Sequence, residues 1–328
     1  MKFNKEIVVI AGAGRMGRGI ALTFACQGYE VLLLDVKDRT NEEFLILQSN
    51  AFREIEGQLD ILIGGNVVSE TVREQVINNI KISPIERPDV IWEQVFVLFE
   101  AVPEKLDVKK QVFHRICPLL PKEALTASTT SSFSVNDVAE FALDKEGFMN
   151  THWLNPAYLI PLVEVSPGEK TSPAALKKMM QILERIGKVP VECSPSPGFI
   201  VPRIQALAMN EAARLVENNV ASVEDIDMAS RYGFGIRFAI LGLLEFIDWG
   251  GADTLYHAGN YLEDSLHDKR FTPPKSIKDK MESGHIGMKT KKGFYTFAEE
   301  DLVEYQKETL HKFIDLLKHL GFFEDSRS

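Results

Sequence analysis

Short unbroken apolar runs punctuate the first half of the chain, whereas helical spacing dominates from residue 200 onward. Ile7 to Ile10 is a β-branched run without alternation, which predicts a parallel strand buried on both faces. Residues 16–27 have helical spacing, with Ile20, Phe24 and the small Ala21 and Ala25 able to pack closely, and Gly28 closes the helix. Glu30 to Asp35 predicts a second buried strand. Strand, glycine turn, helix and strand together open a doubly wound sheet.

Residues 42–62 and 69–78 predict two amphipathic helices, turning at Gly64, Gly65 and Asn66, that form a hairpin leaving the sheet. Strands are expected at 95–99, 125–128, 148–152 and 162–165. Helices are expected at 107–117 (stopped by Pro118), at 135–141 and at 172–186. Gly187 and the Pro/Ser/Gly-rich PVECSPSPGF mark the boundary, with a hinge near 194–198. The expected domains are therefore 1–196 and 197–328.

Beyond it, Ile204, Leu207, Ala208, Glu211, Ala212 and Leu215 repeat at helical spacing, and no strand is expected before Phe294–Phe297. Residues 301–321 form one more amphipathic helix, carrying Leu302, Tyr305, Leu310, Ile314, Leu317 and Leu320. It suits packing on its own domain or a contact between subunits. The fold class is an α/β Rossmann-type doubly wound domain with a helical-hairpin insertion, followed by a mostly α-helical domain.

Composition narrows the function. With 37 Lys and Arg against 47 Asp and Glu, the net charge of −10 disfavours nucleic acid or an anionic membrane surface as partner. No apolar run approaches the eighteen residues of a membrane span. The first residues are briefly basic and then apolar, but glycines, Arg15 and Arg18 cut the run, so no targeting signal is expected. Cys26, Cys117 and Cys193 are too scattered for a disulfide framework or zinc cluster. They predict reduced thiols in a cytoplasmic protein without a metal site.

Gly12, Gly14 and Gly17 stand in G-A-G-R-M-G, directly after one strand and opening a helix. Gly12 permits the turn, Gly14 lets backbone approach a pyrophosphate, and Gly17 permits close helix–sheet packing. The helix N-terminus at Arg15 and Met16 offers free N–H groups and a positive dipole end to phosphate. Asp35 ends the second strand, where a carboxylate accepts both ribose hydroxyls and repels a 2′-phosphate. NAD is the expected cofactor; the glycine motif alone also suits FAD, and Arg39 keeps NADP open.

His152 and Glu164 lie twelve residues apart on two short expected strands flanking N-P-A-Y-L-I-P. Such a pair can set a carboxylate beside an imidazole and raise its basicity, as proton abstraction from an alcohol requires. Spacing alone equally allows an ordinary satisfied histidine.

The chain resembles the 3-hydroxyacyl-CoA dehydrogenase family, in the wide sense that includes 3-hydroxybutyryl-CoA dehydrogenases, L-gulonate 3-dehydrogenase of the lambda-crystallin type and L-carnitine dehydrogenase. The likeness rests on GAGRMGRGIA (12–21), EAVPEKLDVK (100–109), ASTTSSFSV (127–135), HWLNPAYLIPLVEV (152–165), PGFIVPRI (197–204) and GHIGMKTKKGFYTF (284–297). It implies reversible hydride transfer between NAD and C3 of a 3-hydroxyacyl substrate. By resemblance His152 is the general acid/base, Glu164 its orienting partner, Ser131 a donor to the reacting oxygen, and Asn155 a holder of substrate and nicotinamide. Ala101, Glu104 and Lys109 fall on the nicotinamide side, and a homodimer through the helical domain is implied.

Three departures stand out. Pro202 replaces the family asparagine after Gly-Phe-Ile-Val, removing a donor unless Gln205 substitutes for it. A lost oxyanion-type donor costs about 2.7–4 kcal/mol in the transition state. Lys105 stands where relatives carry asparagine, and Thr129 where ASNTSS is usual. The substrate is expected to be a small molecule, either an acyl-CoA or a free small 3-hydroxy acid or betaine. The hairpin offers Arg53 and little other positive charge for coenzyme A, while Arg231 and Arg237 are candidate clamps for a free carboxylate. A non-catalytic dinucleotide-binding descendant is the rival reading, motivated by Pro202.

Overall fold

The computed structural model describes residues 6–323, so residues 1–5 and 324–328 of the two expected domains lie outside it. Two compact units divide at Ala208/Met209. The first carries β1 (Ile7–Ala11), α1 (Arg15–Cys26), β2 (Glu30–Asp35), α2 (Asn41–Gly64), α3 (Arg73–Asn78) and β3 (Ile80–Pro84). It continues with β4 (Val95–Glu100), α4 (Leu106–Ile116), β5 (Leu125–Ser128), α5 (Val135–Ala139), β6 (Phe148–Trp153), β7 (Leu162–Pro167), α6 (Pro173–Arg185) and β8 (Val189–Glu192). α7 (Val201–Glu217) crosses the division, and α8 (Val223–Ala229), α9 (Ile236–Ile240), α10 (Leu243–Gly250), α11 (Ala252–Leu266), α12 (Lys275–Ser283) and α13 (Glu299–His319) complete the helical unit.

The strands form one eight-stranded sheet in the order β3-β2-β1-β4-β5-β6-β7-β8. All neighbours are parallel except β6 and β7. The unbroken apolar runs belong to central strands, as double-sided burial requires: β1 is buried at every residue, and β2 at all but Glu30. One core lies between the sheet and α1, α2 and α6; the other lies under α4 and α5.

The expected helical insertion is present as α2 and α3, between β2 and β3. Ala51, Ile55, Leu59 and Leu62 of α2 are buried against the α1 face, and α3 leads straight into β3. Thr40 and Glu43 close a capping box that fixes where α2 begins.

Two strands lie outside the sequence expectation. β3 (IKISP) and β8 (VPVE) are both edge strands, short and carrying proline, so no long apolar run announces them. The strand expected at Phe294–Phe297 is replaced by isolated bridges, Gly287 to Lys292 and Lys292 to Thr296. Here the fully buried Asp248 organises the turn, accepting from the N–H groups of Phe294 at 2.9 Å and Tyr295 at 2.7 Å. A carboxylate thus takes the bonds that a partner strand would have taken.

In the helical unit α13 packs on α9, and the Tyr305 hydroxyl donates to Glu245 of α10. No helix among the described residues is long and apolar enough to cross a membrane.

Candidate active site

β1, β2, β4, β5 and β6 run in the same direction, so their carboxyl ends share one edge of the sheet. The chain order reverses between β1 and β4, which opens a crevice at that edge. Gly12 follows β1, Asp35 ends β2, Ala101 and Glu104 follow β4, Ser131 follows β5, and His152 lies near the end of β6.

The three glycines are required for different reasons. Gly12 adopts φ +123°, and a Cβ there would stand 2.5 Å from the carbonyl oxygen of Ala101. A Cβ on Gly17 would stand 2.0 Å from the carbonyl oxygen of Gly12, so α1 could not pack this closely on its strand. Gly14 differs: its backbone is extended, and a Cβ would meet nothing within 4 Å. The protein itself has no need of glycine there, whereas a pyrophosphate laid against the backbone does.

The start of α1 agrees with that reading. Unlike α2, α1 has no side-chain cap and no acidic residue in its first turn, so the amides at Arg15 and Met16 keep their capacity for an anion. Asp35 is buried at the end of β2, where Arg39 Nε donates to its Oδ2 at 2.6 Å. Arg39 is thereby engaged by the carboxylate rather than standing free.

Beside the crevice lies a charged network that sequence reasoning missed in part. Lys109 is buried, with Nζ 3.0 Å from both oxygens of Glu100 and 3.2 Å from Glu104 Oε2. Glu100 is fully buried too, and accepts from Ser128 Oγ at 2.6 Å and from the Val102 N–H at 2.8 Å. The pair is thus fully hydrogen-bonded, as buried charge requires. Its one sequence signal was a carboxylate ending the apolar run VFVLFE.

Glu104 extends the network outward. Its Oε1 accepts from the Thr130 hydroxyl, from Ser132 Oγ at 2.7 Å, and from the N–H groups of Ser131 and Ser132 at 3.2 and 3.1 Å. Partial burial alone would push its carboxyl up, but the bonds from Thr130 and Ser132 and the charge of Lys109 outweigh this and hold it below the usual range. Glu104 therefore shapes the turn that presents Ser131, while Lys109 meets the site through Glu100, Glu104 and, at 3.5 Å, Ser128 Oγ. Lys105 precedes α4 with its side chain exposed, and Thr129 donates its N–H to the Glu100 carbonyl.

His152 and Glu164 are direct partners in the register of β6 and β7. His152 Nδ1 lies 2.7 Å from Glu164 Oε2, and both side chains are buried. The other carboxylate oxygen accepts from the N–H groups of Ile200 and Val201, each at 2.8 Å. An ionised Glu164 forces Nδ1 to be the donor, which leaves the basic lone pair on Nε2. The Phe199 ring lies over the imidazole, with centroids 5.0 Å apart and planes 12° from parallel.

The excursion between β6 and β7 carries Asn155, which is exposed and joined to Pro156 by a cis peptide. It is pinned by a residue that the sequence did not single out. Lys188 Nζ donates to the carbonyls of Ala157 at 2.6 Å and Ile160 at 2.8 Å, and lies 5.7 Å from the Trp153 ring centroid. Burial pushes this ammonium down to about 8. A Cβ on Gly19 of α1 would lie 3.1 Å from the Ala157 methyl, so the cofactor helix and this excursion are in close contact.

Pro202 is the second residue of α7, where a missing N–H costs the helix nothing, and Gln205 is exposed one turn later. Of the two candidate clamps, Arg231 pairs with Asp227 at 3.6 Å and Arg237 lies over the Phe246 ring at 5.7 Å. Both geometries are those of ordinary surface contacts.

Residues 7–196 match the NAD binding domain of 3-hydroxyacyl-CoA dehydrogenase, and residues 198–297 match its C-terminal domain. The chain belongs to the 3-hydroxyacyl-CoA dehydrogenase family. It is an NAD-dependent oxidoreductase of that family. A 3-hydroxybutyryl-CoA dehydrogenase of Bradyrhizobium diazoefficiens is 33% identical over 294 residues, spanning 89% of this chain and 95% of that one. The 5-formyl-3-hydroxy-2-methylpyridine 4-carboxylate 5-dehydrogenase of Mesorhizobium japonicum is 26% identical over 314 residues, spanning 94% and 96%. Among solved structures, the 3-hydroxyacyl-CoA dehydrogenase of Archaeoglobus fulgidus superposes with a TM-score of 0.75 at 28% identity, covering 97% of this chain and all of that one.

Proposed function

We propose that this family member interconverts a short 3-hydroxyacyl-CoA thioester, of the 3-hydroxybutyryl-CoA kind, and its 3-oxo counterpart. The observation that carries the reading is the buried His152–Glu164 pair at 2.7 Å. His152 Nε2 takes the hydroxyl proton in oxidation and returns it in reduction. Glu164, bonded to Nδ1, holds the ring in the orientation that this transfer requires. NAD, when bound, supplies the hydride acceptor at its nicotinamide ring.

The backbone at Gly12, Gly14, Arg15, Met16 and Gly17 holds the pyrophosphate, and Asp35 accepts from the adenosine ribose. Ala101 and Glu104 flank the nicotinamide side, and Lys109 supports Glu104 from beneath. Ser131 donates to the substrate oxygen as its charge develops, and Asn155 orients substrate against the nicotinamide. Domains at 1–196 and 197–328 are part of this proposal: the family matches change between 196 and 198, whereas the compact units divide later, at Ala208/Met209.

A free small hydroxy acid is the second reading, and the insertion favours it. Residues 41–78 hold seven acidic side chains (Glu42, Glu43, Glu54, Glu56, Asp60, Glu70, Glu74) against Arg53 and Arg73. Arg73 is already engaged by Glu70 and Asp60, each at 2.6 Å. Such a surface repels the phosphates of coenzyme A. The Mesorhizobium relative, named for a pyridine carboxylate, spans a similar share of the chain.

We further propose a homodimer through the helical unit, in the cytoplasm. Among described residues beyond 208, the buried hydrophobic side chains are Leu241, Ala252, Ile277 and Met288. Met209, Val220, Tyr261 and Val303 are each more than 60% exposed, a distribution that calls for cover by a second copy.

NADH consumption with acetoacetyl-CoA, run beside NAD reduction with 3-hydroxybutyryl-CoA, L-gulonate and L-carnitine, tests the reading. Turnover of the thioesters supports it, and turnover confined to a free acid replaces it with the second reading. Silence across the panel with NADH still bound favours the non-catalytic descendant. Light scattering on the eluted peak gives the oligomeric state.

A further inference from the structure

We infer that Phe199 is a positioning residue of the reaction, and that Phe199–Val201 grips the His152–Glu164 pair from both sides. This rests on His152 being the general acid/base proposed above. The observation that prompts it is a backbone outlier. Phe199 has φ +47° directly after Gly198 at φ +74°, so a bulky, buried side chain sits in the left-handed region. That region disfavours any residue with a Cβ, and a bulky residue persists there only when its surroundings over-determine it. Glycine at 198 relieves the first of the two positions; nothing in residue type relieves the second.

What the strained conformation achieves is visible in its contacts. It turns the Phe199 ring nearly parallel to the imidazole, 12° between planes and 5.0 Å between centroids. It also aims two successive N–H groups, those of Ile200 and Val201, at Glu164 Oε1, each at 2.8 Å. Glu164 Oε2 is thereby left to His152 Nδ1. The ring fixes the tilt of the imidazole, and its electron-rich face favours the imidazolium as the proton arrives. The two peptide N–H donors fix the orientation of the carboxylate. A relaxed backbone at residue 199 would lose the ring contact and misdirect the donors together.

The test compares F199L, which keeps bulk and removes the aromatic face, with F199Y, which keeps the face. For F199L, kcat should fall roughly tenfold, the worth of one aromatic contact, with KM and NADH affinity little changed. F199Y should recover most of that loss. A merely structural role would instead lower NADH affinity and melting temperature together with kcat, or leave kcat intact in a folded F199L; either result overturns the inference.

Wild-type protein supplies a readout that needs neither a substrate nor a folded variant. Cross-relaxation between His152 and Phe199 ring protons should be observable by NMR, and its absence overturns the inference. If wild type turns over no substrate but shows that contact, the proposed activity has failed and the stacking geometry has not.

Discussion

Glu164 Oε2 stands 2.7 Å from His152 Nδ1 because the two residues are direct partners across the one antiparallel junction of the sheet. Side chains at paired positions project to the same face and are close enough to meet. The antiparallel register of β6 and β7 sets His152 opposite Glu164. The reversal of β7 therefore creates the dyad.

Removing the imidazole should leave the crevice at β1 and β4 intact, because His152 lies on β6 and its polar contact is with Glu164 of β7. H152A is expected to bind NADH with wild-type affinity and to lose roughly 10²- to 10⁴-fold in kcat. Fluorescence titration of NADH beside the absorbance assay checks both. A loss of NADH affinity would show that His152 is misplaced in the reaction.

E164Q should act on more than the histidine. The carboxylate serves Nδ1 and two peptide N–H groups, so neutralising it weakens charge-assisted bonds, each worth about 1.5–3 kcal/mol. Both kcat and the urea midpoint should fall. A variant that lost activity at unchanged stability would mean that the peptide donors contribute little.

Gly14 and Gly17 should separate binding from folding. G14A has room for its methyl and is expected to melt near the wild-type temperature while losing NADH affinity. G17A meets the Gly12 carbonyl at 2.0 Å and should be destabilised or fail to fold. Thermal melts and NADH titration of the pair distinguish the two outcomes.

P202N tests the departure at the start of α7. Restoring an amide should raise kcat by up to roughly two to three decades if the family donor is absent here. Unchanged kcat would mean that another group, Gln205 being the nearest candidate, already supplies it.

Lys188 predicts a pH dependence of stability. Its ammonium is pushed from the ordinary 10.5 to about 8 by burial. Between these values the unfolded chain binds more protons than the folded one, so unfolding free energy rises with pH in that window. Below about 8 both states are protonated and the full desolvation penalty stands. Relative to K188M, which cannot titrate, wild type should gain stability from pH 8 to 10 in urea unfolding. A flat difference would show that the carbonyls of Ala157 and Ile160 offset the burial.

The sequence determined the central strands, the glycine turn, Asp35 and the presence of His152 and Glu164, because each is a local statement. Double-sided burial writes itself as an unbroken apolar run, and a pyrophosphate turn needs glycine at fixed spacing. Edge strands β3 and β8 bury little and tolerate proline, so they left no such run. Tertiary structure decided that β7 runs antiparallel to β6, which turned the pairing of His152 with Glu164 that the sequence allowed into a direct register contact. It also decided that Glu100 and Lys109 are buried together, that Lys188 pins the excursion after β6, and that Phe199 stacks on His152. These contacts join residues distant in the chain, and hydrophobic periodicity carries no information about which polar groups meet once the elements have packed.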